Sequence, residues 1–170
     1  MVSSLDGFIA KEDGDVSWMR SMDVHEGGKV LTEQYITEFL DSIDCYVMGS
    51  KTYEHALELG WPYGNKPVIV LTTRELESDR SSVSFFNGEL KHLFDTELKS
   101  YHNIWMVGGS ALTKDFLKMG LADEIVISIL PILLGQGLSF FDCIGKEISL
   151  HLKDSTAYND GMVELTYAIR

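Results

Sequence analysis

The segment Asn103-Ile104-Trp105-Met106-Val107-Gly108-Gly109-Ser110-Ala111-Leu112 decides the fold of this chain. Its first half is a continuous apolar run, which is typical of a parallel strand covered on both faces. Two glycines end the run, and a helical pattern from Ser110 to Met119 begins directly after them. The segment therefore predicts a buried strand, a tight turn and a helix, with Gly120 as a left-handed helix stop.

Similar patterns precede this segment in the chain. Residues 44–49 predict a buried strand followed by a helix over 51–60, and residues 66–71 predict another strand. Residues 31–42 predict a helix, and Gly88 to Tyr101 a weaker one. The core-facing stripe expected on the first of these helices consists of Leu31, Tyr35, Phe39 and Leu40. Strands that alternate with helices indicate a mostly parallel sheet.

The pattern changes after Leu121. Asp123 to Leu130 predicts a long strand, and Pro131 to Phe141 an irregular connection. Ile148 to Ser155 and Gly161 to Ile169 alternate as an antiparallel hairpin does, with a turn at residues 159–161. We therefore predict a single α/β domain over residues 1–170. It would have three layers and a mostly parallel central sheet with antiparallel C-terminal strands.

Composition narrows the range of functions. The chain has 170 residues, of which 45% are hydrophobic, and a net charge of -12. Such an acidic chain is a poor ligand for the phosphate backbone of a nucleic acid. No signal peptide and no run of 18 apolar residues is present, so we expect a cytoplasmic protein without a membrane partner. Cys45 and Cys143 match no metal spacing and predict two reduced, buried thiols.

Three predicted strand ends favour phosphate. Gly108-Gly109 would bring backbone close to a ligand, and the helix that begins at Ser110 would offer free N–H groups; the alternative is a tight turn that needs positive φ. Gly49-Ser50-Lys51-Thr52 repeats this arrangement, unless Ser50 and Thr52 only cap a helix. Leu71-Thr72-Thr73-Arg74 suits a phosphomonoester because guanidinium binds phosphate through two hydrogen bonds. Together they predict a dinucleotide that carries an extra phosphate, NADPH, held without a G-x-G-x-x-G motif.

A fourth strand end lies near the N-terminus. Ser4-Leu5-Asp6-Gly7-Phe8-Ile9-Ala10 is followed by a polar loop over 11–15 and by Trp18. This loop could cover a nicotinamide or a substrate, whereas the alternative for Asp6-Gly7 is an ordinary turn. The five histidines are scattered and form no motif, and we expect no metal site.

Taken in order, these segments resemble the dihydrofolate reductase superfamily. Residues 4–10 look like the first-strand motif of its branch typified by the C-terminal reductase domain of bacterial riboflavin biosynthesis. Residues 48–53 resemble the superfamily's Met-Gly-Arg-x-Thr-Trp segment, and residues 107–110 its Gly-Gly segment, which is often built around a cis peptide. Residues 121–137 resemble the branch's Asp-Glu, apolar strand, Pro-x-x-Leu-Gly-x-Gly pattern. The likeness spans nearly the whole chain.

The resemblance implies an NADPH-dependent oxidoreductase that forms a homodimer. It implies pyrophosphate contacts at Thr52 and at Gly109 to Leu112, and a 2'-phosphate contact at Ser50, Lys51, Thr73 or Arg74. The family arginine after Met-Gly is Ser50 in this chain. The full expected cofactor set is Ala10, Gly49, Ser50, Lys51, Thr52, Leu71, Thr72, Thr73, Arg74, Val107, Gly108, Gly109, Ser110, Ala111 and Leu112, and the expected substrate set is Ser4, Asp6 and Trp18.

The acid that would protonate the substrate has two candidates. In dihydrofolate reductases it is a carboxylate on the first helix. Counting back from Met48-Gly49 places Glu33 there, whereas counting forward from Trp18 places Asp23 there. The alternative for Glu33 is the third residue of a helix, paired with a capping threonine, or a residue on a solvated face. Asp23 also has a non-catalytic alternative.

The expected function is hydride transfer to a small substrate. That substrate would be pterin-like, pyrimidine-like or similar to 5-amino-6-(5-phosphoribosylamino)uracil. The alternative is a nucleotide-binding dimer of the same fold that lacks reductase activity, since the family arginine is missing and the acid has two candidates.

Overall fold

The computed structural model describes all residues, 1–170. In chain order the strands are β1 (Val2–Ser4), β2 (Phe8–Ala10), β3 (Cys45–Gly49), β4 (Val68–Leu71), β5 (Val83–Phe86), β6 (Ile104–Gly108), β7 (Glu124–Leu130), β8 (Leu138–Ser139), β9 (Leu150–Ala157) and β10 (Val163–Ile169). The α-helices are α1 (Glu33–Ser42), α2 (Ser50–Glu58), α3 (Leu90–Thr96) and α4 (Ser110–Met119), and a short 3-10 turn covers Leu98–Ser100. No helix has the length and apolar character that crossing a membrane requires.

The contacts within the chain divide it into two compact units. The first unit combines residues 1–35 with 120–170, and the second consists of residues 36–119. Each unit holds a four-stranded sheet of its own. Whether the whole chain behaves as the single domain expected from the sequence stays a prediction.

The second unit contains the parallel sheet that the sequence predicts. Its strand order is β5-β4-β3-β6, and every neighbouring pair is parallel. The apolar runs bury themselves as expected: Tyr46, Met48, Val68 and Val70 are almost inaccessible to solvent. β5 was not predicted, because four residues with mixed burial leave too weak a pattern to distinguish an edge strand from a loop.

The prediction that α1 packs an apolar stripe against the core is wrong. No residue of α1 is buried, and Leu31, Tyr35 and Phe39 are exposed. Phe39 touches Trp105 edge-on, with 5.3 Å between the ring centroids. Helical periodicity reports that one face is apolar, but it does not report whether another element covers that face.

The first unit holds the antiparallel strands. Its main sheet has the order β1-β7-β10-β9, in which β1 is parallel to β7 and the other pairs are antiparallel. β2 pairs separately with β8 inside the connection that the sequence left irregular. The hairpin turn at residues 159–161 is confirmed, with Gly161 at φ +79°. A small core forms from Trp18, Leu130, Tyr158 and Met162.

The predicted fold class is confirmed. The chain is a mixed α/β protein with a parallel sheet and antiparallel C-terminal strands. One prediction about the cysteines is wrong: Cys45 is buried, but Cys143 is exposed. The apolar neighbours of Cys143 in sequence belong to a loop, so they do not enclose it.

Candidate functional site

The candidate site lies at the carboxyl edge of the parallel sheet in the second unit. From β3 the chain builds outward to β4 and β5 on one side, and it then returns to place β6 on the other side of β3. The connection from β3 to β4 and the connection from β5 back to β6 therefore run in opposite directions along the sheet, and the order reverses between β3 and β6. In parallel sheets such a switch point opens a crevice at the carboxyl ends of the strands, where ligands bind.

Two helices begin at this crevice. α2 starts at Ser50 directly after β3, and α4 starts at Ser110 two residues beyond the Met48–Gly108 pairing of β3 with β6. Gly49 is the N-cap of α2, and no side chain caps this helix. The interpretation of Ser50 and Thr52 as caps is therefore wrong. The first N–H groups of α2 lack an intrahelical partner and are available to an anion.

Glycine backbone lies between the two helix starts. Gly108 has φ +122°, a conformation that L side chains rarely adopt, and the Gly108–Gly109 peptide is cis, as the resemblance implies. A Cβ placed on Gly109 would find Thr52 Oγ1 as its nearest neighbour, at 3.9 Å. A Cβ placed on Gly49 would find the Gly108 carbonyl oxygen, at 4.0 Å. The sequence-predicted residues of β3 and β6 thus come together around one open patch of backbone.

The neighbouring strand β4 adds polar groups beside this patch. Leu71, its last residue, pairs with Gly49, so Thr72, Thr73 and Arg74 follow next to the start of α2. The Arg74 backbone N–H donates to Thr72 Oγ1 at 3.0 Å. The predicted alignment of three strand ends, β4, β3 and β6, is therefore present at one edge of the sheet.

Arg74 has an acidic partner that sequence analysis missed. Its Nη2 donates to Glu54 Oε2 at 2.8 Å, and both side chains are about half exposed. This hydrogen bond holds the pKa of Glu54 below its usual value. Glu54 lies on α2 and Arg74 follows β4, so no local pattern joins the two residues. A phosphate that binds Arg74 must compete with this carboxylate.

In the first unit, Ser4 and Asp6 form a tight turn. Ser4 Oγ donates to Asp6 Oδ1 at 2.6 Å, and the backbone N–H groups of Leu134 and Gly135 donate to the same carboxylate at 3.1 and 2.7 Å. The Ser4 hydroxyl is the main cause of the lowered pKa of Asp6, with the two N–H groups adding to it. Residues 6–7 therefore form the ordinary turn that the sequence offered as an alternative. Asp6 also holds the loop that follows β7 through these hydrogen bonds.

Two further expected ligand residues of the first unit are enclosed by protein. Trp18 is buried in the core of this unit, and its indole N–H has no hydrogen-bond partner. Ala10 ends β2 and is buried, with its carbonyl oxygen close against Gly137. An unpaired buried donor of this kind costs free energy.

The two candidate acids occupy exposed positions in the first unit. Glu33 is the first residue of α1, and the backbone N–H of Tyr35 donates to Thr32 Oγ1 at 3.2 Å. Thr32 therefore caps α1. Glu33 directly follows this cap and is not the third helical residue that one alternative expects, but it is exposed, as the solvated-face alternative expects. The Asp23 carboxylate packs over Gly161, where any Cβ would collide with it. The acidic role of either residue stays a prediction.

The chain matches known proteins along almost its whole length. A sequence profile of the RibD C-terminal domain matches residues 1–164. YwjB of Bacillus subtilis (strain 168) is 34% identical over 168 residues, which cover 96% of this chain and 92% of that protein. YyaP of the same strain is 27% identical over 177 residues, which cover 96% and 89%.

Solved structures share the fold. A Shewanella sp. PV-4 protein assigned to riboflavin biosynthesis superposes with a TM-score of 0.85 at 29% identity, covering 100% of this chain and 96% of that one. A pyrimidine reductase-like protein of Corynebacterium diphtheriae superposes with a TM-score of 0.65 at 16% identity, covering 99% and 89%. The second likeness is one of fold alone.

Proposed function

The chain belongs to the RibD C-terminal domain family, and on that premise we propose that it is an NADPH-dependent reductase of a small nitrogen heterocycle. One observation carries the proposal: the N-termini of α2 and α4 flank open glycine backbone at the switch point of the parallel sheet. Each helix start offers unpaired N–H groups and positive potential. Two such starts side by side are suited to a pyrophosphate.

The residues present fit this cofactor. The space that a Cβ would fill at Gly49 and at Gly109 is open, so a phosphate can approach the backbone there. Thr52 and residues 109–112 would hold the pyrophosphate. Ser50, Lys51, Thr73 and Arg74 would meet the 2'-phosphate, with Arg74 exchanging Glu54 for the ligand. When bound, NADPH supplies the hydride.

The other roles that we propose belong to residues of the first unit. Ser4, Asp6 and Trp18 would orient the substrate, the first two through the turn that they build. Glu33 or Asp23 would donate the proton that accompanies the hydride. The substrate would be pterin-like, pyrimidine-like or similar to 5-amino-6-(5-phosphoribosylamino)uracil, in line with the role assigned to the Shewanella relative.

We also propose a cytoplasmic location for the enzyme. Cys45 and Cys143 are both free thiols. Unpaired cysteines are usual in reducing compartments.

Binding of NADPH by wild type, Thr52→Asp and Thr52→Ser, measured by calorimetry, tests the cofactor site. An aspartate in the first turn of α2 interacts favourably with the helix dipole, so the variant should not lose folding stability. The same carboxylate should repel the pyrophosphate and weaken NADPH binding by roughly 100-fold, whereas Thr52→Ser keeps the hydroxyl and should bind within about 3-fold of wild type. Absence of NADPH and NADH binding by the wild type would overturn the proposal.

Turnover separates the reductase from a nucleotide-binding dimer without activity. Oxidation of NADPH should accelerate when a substrate of the proposed classes is added. Glu33→Gln or Asp23→Asn should then reduce kcat by roughly 100-fold if that carboxyl is the acid. Tight NADPH binding without turnover of any of these substrates would instead favour the binding protein.

A further inference from the structure

A row of polar side chains crosses the main sheet of the first unit. Glu164 on β10 pairs with Ser128 on β7 and with Thr156 on β9. Cross-strand partners share a face of the sheet, so these three side chains lie together on one face. Ser128 and Thr156 are only 8% and 9% exposed, and Glu164 is half-buried. We call these three residues the polar row.

Two hydroxyl groups hold the Glu164 carboxylate. The Ser128 hydroxyl donates to Glu164 Oε2 at 3.0 Å, and the Tyr158 hydroxyl donates to Oε1 at 3.4 Å. The Met1 ammonium group also interacts with Glu164 electrostatically, while it donates to the Val126 carbonyl oxygen at 2.7 Å. An ionised carboxylate has about four acceptor positions, two on each oxygen. The two hydroxyls therefore use one position on each oxygen and leave the other.

Tyr158 is itself fixed in place. It is 5% exposed and packs in the small core of the unit with Trp18, Leu130 and Met162. Burial, followed by the charge of Glu164, raises the pKa of the Tyr158 hydroxyl, so this group stays protonated and can donate at neutral pH. A donor with so little freedom holds the carboxylate in one orientation before any ligand arrives.

The polar row is connected to the surface of the unit. The hydroxyl of Tyr35, the last residue of the first unit, is the other hydrogen-bond partner of the Tyr158 hydroxyl. Tyr35 is 49% exposed, and Glu164 keeps partial exposure although its two row neighbours are buried. The groups Tyr35, Tyr158 and Glu164 thus lead from solvent to the row. The Tyr35 ring offers a flat aromatic surface to a planar ligand at the outer end of this path.

Folding alone gives no reason for a carboxylate at this place. The Ser128 and Tyr158 hydroxyls are neutral, so they offset only part of the cost of removing a charge from water. Val2, which pairs with Ser128 on the same face, shows that this face also accepts an apolar residue. A half-buried charge that local packing does not require is typical of a binding site.

The chemistry of the carboxylate selects its ligand. A carboxylate is suited to two adjacent N–H donors in one plane, one for each oxygen. In a nitrogen heterocycle such a pair consists of a ring N–H next to an exocyclic amino group. A ring N–H next to a carbonyl group, as in uracil, would instead bring a ligand oxygen against a carboxylate oxygen, which is unfavourable.

We propose that Glu164 determines the specificity of the substrate site by binding the amino-substituted edge of a pterin-like or aminopyrimidinone ring. The inference rests on the proposed reductase function, and it selects among the substrate classes named there: a substrate with a uracil edge is disfavoured. In this role Glu164 binds and orients the ring and transfers no proton.

Pterin and lumazine test this role because they differ in one substituent, an amino group in pterin and a carbonyl oxygen in lumazine. Fluorescence titration measures the binding of each to the full chain. Wild type should bind pterin at least about 10-fold more tightly than lumazine. Glu164→Gln presents one acceptor and one donor, so it should weaken pterin binding by roughly 10- to 100-fold and reverse the preference. Isocytosine and uracil repeat the comparison on a single ring.

Glu124→Gln is the matched control. It makes the same chemical change at the exposed first residue of β7, in the same sheet. It should leave the affinities for pterin and lumazine within about 3-fold of wild type. Circular dichroism of both variants should match that of wild type, since glutamine keeps the shape of glutamate.

Three results would overturn the proposal: a wild type that binds neither pterin nor isocytosine, equal affinity for the amino and carbonyl forms, or an unchanged preference in Glu164→Gln. NADPH binding by the same proteins is read separately and should not change in either variant. A chain that binds pterin through Glu164 but binds neither NADPH nor NADH would overturn the reductase and leave the role of Glu164 in ligand recognition intact.

Discussion

At the scale of single residues, the Arg74–Glu54 ion pair should control the preference for NADPH over NADH. Glu54→Gln removes the carboxylate that competes with a 2'-phosphate for the guanidinium. Because an exposed ion pair contributes little, NADPH affinity should rise by only about 2- to 5-fold, with NADH affinity unchanged. Arg74→Gln should lower NADPH affinity by roughly 10-fold. Calorimetry with both nucleotides measures these changes.

The two variants are expected to change NADPH affinity in opposite directions, which makes this prediction specific. Equal effects on NADPH and NADH would mean that Arg74 does not contact the 2'-phosphate. Glu58→Gln, a change of the same chemistry one turn further along α2, is the control and should leave both affinities unchanged.

The two cysteines should differ sharply in reactivity. Burial raises the pKa of the Cys45 thiol from 9.0 to about 12, with the nearby carboxylates of Asp44 and Glu97 adding to the effect. Cys143 is exposed. At pH 8 a thiol reagent should modify Cys143 quickly and Cys45 only on unfolding, as counted by mass spectrometry, and Cys143→Ser should abolish the fast reaction.

The same pKa gives a dependence of stability on pH. The folded state holds the Cys45 proton more tightly than the unfolded state does. This contribution is therefore complete below about pH 9, and it is lost as the pH rises from 9 towards 12. In Cys45→Ala the fall of unfolding free energy over this window should be shallower than in wild type. An unchanged slope would contradict the assignment.

At the scale of elements, the C-terminus of α1 depends on a residue from the chain segment before β4. Lys66 Nζ donates to the carbonyl oxygens of Leu40, Asp41 and Ile43 at 2.8, 2.8 and 2.6 Å. A cation at this end also complements the helix dipole. Lys66→Met should lower the free energy of unfolding by about 1–2 kcal/mol in urea titrations. Lys99→Met, which removes only an exposed ion pair, should change it by less than about 0.5 kcal/mol.

The elements also show how far sequence patterns reach. β3, β4 and β6 could be predicted because each is a continuous apolar run that ends at glycine or a polar group. α4 was predicted with its bounds, since Gly120 stops it at φ +66°. β5 was not predicted, and the prediction that the apolar face of α1 is buried was wrong. Both features depend on which elements lie next to them in space.

At the scale of the whole molecule, the homodimer that the family resemblance implies predicts that thermal stability depends on protein concentration. Association stabilises the folded state by mass action. For a chain of this size the midpoint Tm should rise by roughly 1–3 °C for each tenfold increase in concentration. A wild-type Tm that does not change with concentration would argue against a folded dimer.

Some features of the candidate site follow from local sequence, and others depend on contacts between distant segments of the chain. Gly49, Thr52 and residues 108–110 could be predicted because each glycine-to-helix turn is encoded within a few consecutive residues. Their assembly into one crevice follows from the strand order β4-β3-β6, which no short segment specifies. The partner of Arg74 and the hydrogen bonds from residues 134–135 to Asp6 also come from distant parts of the chain.

The sequence by itself determined the strand-turn-helix units around Gly49 and Gly108-Gly109, and with them the fold class. These features depend on local periodicity and on the freedom of glycine, which neighbouring residues alone decide. Only the tertiary structure decided the switch point and the Arg74–Glu54 pair. Strand order and register depend on contacts between segments far apart in the chain. A shift of register by one residue would turn the apolar side chains to the other face.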